Sequence, residues 1–178
     1  MSKIIALDPS KNCTGFVLYD LETQEIVETG TFDAGENKKD YKRRTDQKQK
    51  ESQNFGNHLM DLFMEYGFSL IVTEYPHGSK SSVASWALSM VNSCIMTFSL
   101  CILGKKPVCY LESDAKVGFF NRRKVSKEQT RKAMHKLYPE YKPALWNKKV
   151  VKYKDEAICD ALLILTKYLN DADISIQA

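Results

Sequence analysis

The period of the apolar positions changes along this chain, and each change marks an element. Ile4-Ile5-Ala6-Leu7 is an unbroken apolar run rich in β-branched residues, the pattern of a strand buried on both faces. It ends on a carboxylate, Asp8, and Pro9, Ser10, Asn12 and Gly15 then supply turn chemistry. Residues 14–20 return as a second strand, and 26–32 alternate as a third, antiparallel one after a polar turn at 21–25. Residues 40–66 read as a helix with one apolar stripe on its second half, Phe55, Leu59, Leu62, Phe63 and Tyr66, stopped by Gly67. Its basic first part, 38–44, has no stripe and reads as a solvated face, with a phosphate contact as the alternative. Leu70-Ile71-Val72-Thr73-Glu74 is a fourth strand, again apolar and again ended by an acid.

A polar loop at 75–82 follows, with Ser81 or Ser82 able to cap a helix over 83–103 that Gly104 stops. Residues 107–111 form a fifth strand, followed by Ser113-Asp114-Ala115-Lys116 and the basic loop Asn121-Arg122-Arg123-Lys124. Ser126 with Gln129 makes a capping box for a helix that ends near Pro139. After a second basic loop through Trp146 and Lys148, a last helix over 155–169 buries Ala157, Ala161, Leu162, Leu165 and Leu169. The expectation from these elements is one α/β domain over residues 1–178, with its first three strands antiparallel.

Composition alters this picture in three places. The 21 residues 83–103 carry no charge, but six polar side chains interrupt them, which favours a helix buried against the sheet over a membrane span. Five cysteines, an odd number without metal-ligand spacing, read as buried thiols in a reducing cytoplasm. The first residues lack a secretory pattern, consistent with that compartment. Charge is uneven: residues 116–154 hold thirteen Lys and Arg against two acids, +11, leaving −7 for the rest of a chain whose total is +4. A basic third beside an acidic remainder suggests a polyanionic partner.

Three acids share one context. Asp8 and Glu74 each end a strand, and if those two strands are parallel neighbours their carboxyl ends lie on one edge of the sheet, where ligand sites of open α/β sheets form. Asp160 lies beside the apolar face of the last helix, which can deliver it to the same edge. Glu156, four residues earlier on that helix face, is a candidate fourth member; Asp155 fits less well and can serve as the cap. An Asp before Pro and Ser is also a common turn-former, so Asp8 by itself decides nothing. Crowded carboxylates repel unless cations lie between them, and hard oxygen donors suit Mg²⁺, with Mn²⁺ as a substitute. Two such ions can clamp a phosphodiester for hydrolysis.

These motifs, in order, resemble those of the RuvC-type Holliday junction resolvases of the RNase H-like superfamily. The carriers are Asp8-Pro9-Ser10 with Thr14-Gly15, Ile71-Val72-Thr73-Glu74, Lys116-Val117-Gly118 followed by Lys124-Val125-Ser126-Lys127, and Asp160-Ala161-Leu162. The resemblance implies an RNase H-like α/β fold, a five-stranded mixed sheet with strands one to three antiparallel and strands one, four and five parallel, flanked by helices; it also implies a homodimer and a Mg²⁺-dependent crossover-junction endonuclease that nicks four-way DNA symmetrically. It implies Asp8, Glu74 and Asp160 as metal ligands and needs no small-molecule cofactor. The family has an acid or His three residues before the last Asp; this chain has Ala157 there, and Glu156 is taken as the substitute. The short length and divergent loops look like a phage or viral branch, acting in a host cytoplasm.

Lys116 is the base expected nearest the scissile phosphate, with Arg122, Arg123, Lys124 and Lys127 as backbone contacts that position without specifying sequence. Tyr75 is placed to stack on a base, or simply to pack. His77 reads as a plain loop residue, His58 and His135 as surface residues, and Trp86 as core or dimer contact. Competing functions are a nuclease of this fold acting on flaps, RNA–DNA hybrids or other branched DNA, and an inactive junction-binding protein. An actin-like phosphotransferase, suggested by Asp8 with Thr14-Gly15, would need a second half for which 178 residues leave no room.

Overall fold

The structure, a computed structural model, describes residues 2–10, 13–75, 82–141, 143, 145–146 and 149–174. Strands β1 (Lys3–Asp8), β2 (Thr14–Asp20) and β3 (Glu25–Phe32) form an antiparallel meander. Helix α1 (Arg44–Tyr66) leads to β4 (Leu70–Glu74), and α2 (Ser82–Cys101) leads to β5 (Val108–Tyr110). Both β4 and β5 are parallel to β1, so the sheet order is β3-β2-β1-β4-β5, the topology expected from the sequence. Three helices follow: α3 (Glu112–Phe120), α4 (Lys127–Leu137) and α5 (Lys152–Asp171). A two-residue hairpin, β6 (Leu145–Trp146) with β7 (Lys149–Val150), lies before α5.

The strand alternation assigns the core. Ile4, Ala6, Val17, Tyr19 and Val72 point to one face, where α5 covers them with Ile158, Ala161, Leu162 and Leu165. Ile5, Leu7, Phe16, Leu18 and Ile71 point to the other, against Phe55 and Leu59 of α1 and Val91, Ile95 and Phe98 of α2. β1 is buried on both faces because it is the central strand. Among the described residues, no helix is long and apolar enough to cross a membrane.

Helix α5 packs onto β2 at one point of unusually close approach. A Cβ on Gly15 would overlap the carbonyl of Ala157 and come within 2.8 Å of the Ile158 nitrogen. Gly15 is the register partner of Asp8, so this contact seats α5 beside the end of β1. The turn between the strands is closed locally: Thr14, fully buried, donates its hydroxyl to the Ser10 carbonyl and accepts from the Ser10 amide at 3.1 Å.

Several expectations are corrected. The sequence pattern predicts no helix directly after β5, yet α3 forms there; with nine residues and an interior Gly118 it carries too short a stripe to be recognised. Helix α5 begins at Lys152 rather than Asp155, and Asp155 is not a cap. Its fully buried carboxylate instead receives Arg131 Nε at 2.6 Å, the Tyr141 hydroxyl at 2.7 Å and His135 Nε2 at 3.0 Å. His135, expected on the surface, therefore joins α4 to α5, and the half-buried His58 ring sits 5.1 Å from that of Phe32. Of the five thiols only Cys159 is buried; Cys101 and Cys109, at a helix end and on an edge strand, are exposed. Trp86 is 41% exposed and is not core. The capping box of α4 is present, with Ser126 accepting from the Gln129 amide. The basic residues 39–44 carry no buried side chain, as a solvated face should. His77, Ser81 and Lys148 lie outside the described residues.

Gly15→Ala should force α5 away from β2, lowering stability by about 1–3 kcal/mol as overpacking does, which urea unfolding will measure. Asp155→Ala leaves Arg131 without its buried partner and should cost about 3–5 kcal/mol by the same measurement. Burial alone would raise the Asp155 carboxyl, but the hydrogen bonds from Tyr141, Arg131 and His135 outweigh it and hold it below its ordinary value. Its contribution is therefore complete above about pH 3.9, and is lost as pH falls through the lower value it has in the folded protein.

Candidate active site at the carboxyl edge of the sheet

The parallel pairing of β1 and β4 carries both strand-ending acids to the same edge. Asp8 and Glu74 lie close enough for their carboxyls to act on each other, and Asp160 from α5 adds its field to both. Each of the three keeps part of its surface open to the cleft. The Asp160 side chain is 14% exposed and that of Glu156, on the same helix face, 18%. Lys127, at the start of α4, faces both, with its ammonium 3.7 Å from Asp160 and 3.8 Å from Glu156. Lys152 approaches Glu156 at 3.9 Å from the other side.

The electrostatics follow from crowding in a poorly solvated place. Burial first, then Asp160 and Glu74, push the Asp8 carboxyl well above the ordinary range. Burial, then Glu112 and Asp160, push Glu74 up to about 7. Burial raises Asp160 to about 6 against the opposing pull of Lys127. Burial of the Lys127 ammonium is outweighed by Asp160, Glu156, Asp8 and Glu112, which raise it and keep it charged. Like charges assembled at this cost are the arrangement a hard cation relieves. The donor set is all carboxylate oxygen at a half-open edge, so the residues present fit Mg²⁺ or Mn²⁺.

The structure thus brings together the sequence-selected acids Asp8, Glu74 and Asp160, with Glu156 at the rim beside Lys127. It separates Asp155 from them, since that carboxylate is spent on the clamp between α4 and α5. Ala157, where an acid or His was to be expected, is buried against Gly15. His135, Asp155 and Cys159 also present donor atoms within 4.8 Å of one another. The Arg131 guanidinium on Asp155 makes that cluster a poor host for a cation.

Lys116 lies at the site edge, its field lowering Glu74 and Asp160. Arg122, Arg123 and Lys124 are exposed in the loop after α3, and Arg123 lines a groove of about 350 Å³ that reaches Glu74. Tyr75, 54% exposed, follows Glu74 directly, its amide bonded to the Tyr110 carbonyl at 2.7 Å. Sequence reading missed Glu112. The signal was there: a third parallel strand, 108–110, is followed almost at once by an acid, the pattern that singled out Asp8 and Glu74.

The titration makes a testable statement about the metal-free protein. Asp8, Glu74 and Asp160 hold protons that the unfolded chain releases near pH 4, so their cluster costs stability progressively as pH rises through about 6 and 7. Mg²⁺ or Mn²⁺ bound between these carboxylates would have to displace those protons, so the rise in Tm on adding either ion should be larger at pH 8 than at pH 5.5. A rise independent of pH would place the ion elsewhere.

No protein-family model and no curated protein matches the sequence. Solved structures do. Thermus thermophilus RuvC in complex with a Holliday junction substrate superposes with a TM-score of 0.68 at 9% identity, over 97% of this chain and 96% of that one. T. thermophilus RuvC in a second structure gives 0.67 at 9% identity, with 96% of each chain covered. The yeast mitochondrial Holliday junction resolvase Ydc2 gives 0.64 at 16% identity, over 93% of this chain and 77% of that one. A bacterium and a yeast mitochondrion lend no support to a phage or viral origin. At these identities the shared property is architecture: the five-stranded mixed sheet and its flanking helices are the fold of the RuvC-type resolvases.

Proposed function

We propose that this protein, as one RNase H-like nuclease domain, is a metal-dependent, structure-selective endonuclease that resolves four-way DNA junctions. The observation that carries the reading is the convergence of Asp8, Glu74 and Asp160 at the carboxyl edge of a RuvC-type sheet, with Lys127 over Asp160 and the basic loop alongside. Among the proteins that share this fold, T. thermophilus RuvC is described in complex with a Holliday junction substrate and yeast Ydc2 as a mitochondrial Holliday junction resolvase.

In this reading Asp8, Glu74 and Asp160, with Glu156 as fourth donor, hold two divalent ions. Ions held by these carboxylates would supply activation of water and stabilisation of the leaving oxygen of a phosphodiester. The remaining tasks fall to the chain's own groups. Lys127 keeps a positive charge at the phosphate side of the carboxylates, and Lys116 supplies a second. Arg122, Arg123 and Lys124 hold the backbone of the arm that leaves the site, and Tyr75 stacks on an exposed base. Symmetric nicking needs two such sites related by a twofold axis, so the protein acts as a homodimer. The exposed apolar residues of α2, Trp86, Met96 and Leu100, offer a face for the second copy.

A labelled synthetic four-way junction should be cut into paired symmetric products with Mg²⁺ and left intact with EDTA. Asp8→Asn and Glu74→Gln should each reduce cleavage below detection while a gel-shift assay shows junction binding retained. Cleavage of a flap or an RNA–DNA hybrid in preference to the junction would keep the site and change the substrate. Wild-type rates in both variants would remove the carboxylates from the chemistry.

A further inference from the structure

Glu112 is absent from the motif set, and its position gives it a task. Tyr110 of β5 is the register partner of Glu74, so Glu112, the first residue of α3, begins two residues beyond that pairing and next to the carboxylate cluster. Lys116, one turn further on, closes an ion pair with it. The two differ in exposure: the Lys116 side chain is 12% exposed and that of Glu112 44%. Both line the groove that runs from Glu74 toward Arg123. Their fields act on the same two acids with opposite sign, Glu112 raising Glu74 and Asp160 and Lys116 lowering them. The two charges oppose each other at the site, and the ion pair between them fixes where the ammonium stands.

We propose that Glu112 is a positioning residue that holds the Lys116 ammonium off Glu74 and Asp160, leaving those carboxylates free for divalent cations until a DNA backbone enters the groove. The inference rests on the reading of Asp8, Glu74 and Asp160 as a metal site. The physical ground is competition. An ammonium on a flexible four-carbon stem, set beside crowded carboxylates, pairs with whichever is nearest. Glu112 is the nearest one that the reaction does not need. An arriving phosphate can then take Lys116 from an exposed, easily hydrated carboxylate, whereas taking it from Glu74 would unpair a buried one. An i,i+4 pair of Glu before Lys also steadies a helix, so stability does not test the idea and metal affinity does.

The experiment is a double-mutant cycle on Glu112→Gln and Lys116→Met, reading Mn²⁺ binding to the DNA-free protein by electron paramagnetic resonance of the unbound ion. Circular dichroism establishes that each variant folds. Glu112→Gln should weaken Mn²⁺ binding roughly tenfold, the loss typical of a disturbed outer shell. Lys116→Met alone should change it by less than about threefold, yet in the Glu112→Gln background it should restore most of the loss. Equal factors for Lys116→Met in both backgrounds would mean simple field effects and overturn the proposal. Should Glu112→Gln not fold, Lys116→Met alone decides: a large gain in affinity would show that Lys116 already presses on the carboxylates, against the proposal. If wild type itself binds no Mn²⁺, the metal-site reading has failed, an outcome distinct from additivity in the cycle.

Discussion

Helix α5 can reach the end of β1 only because nothing projects from β2 at Gly15. That missing side chain lets the Ala157 carbonyl and the Ile158 amide lie directly on the strand opposite Asp8. Everything at the site depends on this approach. Asp160 follows Ala157 by three residues and is swung toward Asp8 and Glu74, while Glu156 remains at the rim. The same seating presses Ile158, Ala161, Leu162 and Leu165 into the face of the sheet, so one contact serves both core and cleft. A buried apolar interface holds in place an arrangement of like charges that would otherwise spread apart.

Charge around the cleft is arranged in two layers. Asp8, Glu74 and Asp160 form the inner one and titrate upward because burial denies them water. Lys127 and Lys116 form the outer one and oppose that charge, and Glu112 pairs with Lys116. Lys127 is placed by a longer chain of causes. Ser126 caps α4, and one and two turns along, Arg131 and His135 fasten that helix to the buried Asp155 of α5. Asp155 and Glu156, adjacent in sequence, thus do different work: one locks helix to helix, the other faces the cleft.

The five strands of the sheet were readable because burial leaves a simple trace. A run such as Ile4-Ile5-Ala6-Leu7 or Leu70-Ile71-Val72 has few solutions other than a central strand, and an acid at its end stands out against it. The capping box of α4 was readable for a similar reason, since it is a local exchange of hydrogen bonds four residues wide. Helix α3 left no such trace. It is short and interrupted by Gly118, and it is held by the surfaces it packs on rather than by its own pattern. Asp155 was misjudged because its partners, Arg131, His135 and Tyr141, are up to 24 residues away and nothing local points to them.

By itself, then, the sequence determined the five strands of the sheet, most of the helices and the candidacy of Asp8, Glu74 and Asp160, because periodicity and strand-end acids are local properties of the chain. Tertiary structure decided which neighbouring acid turns to the cleft, where Lys127 stands, and that Glu112 with Lys116 borders the site. Those depend on how α3, α4 and α5 dock on the sheet. Docking is set by side chains that meet only across long separations, as Gly15 and Ala157 do, and no window of sequence contains both partners.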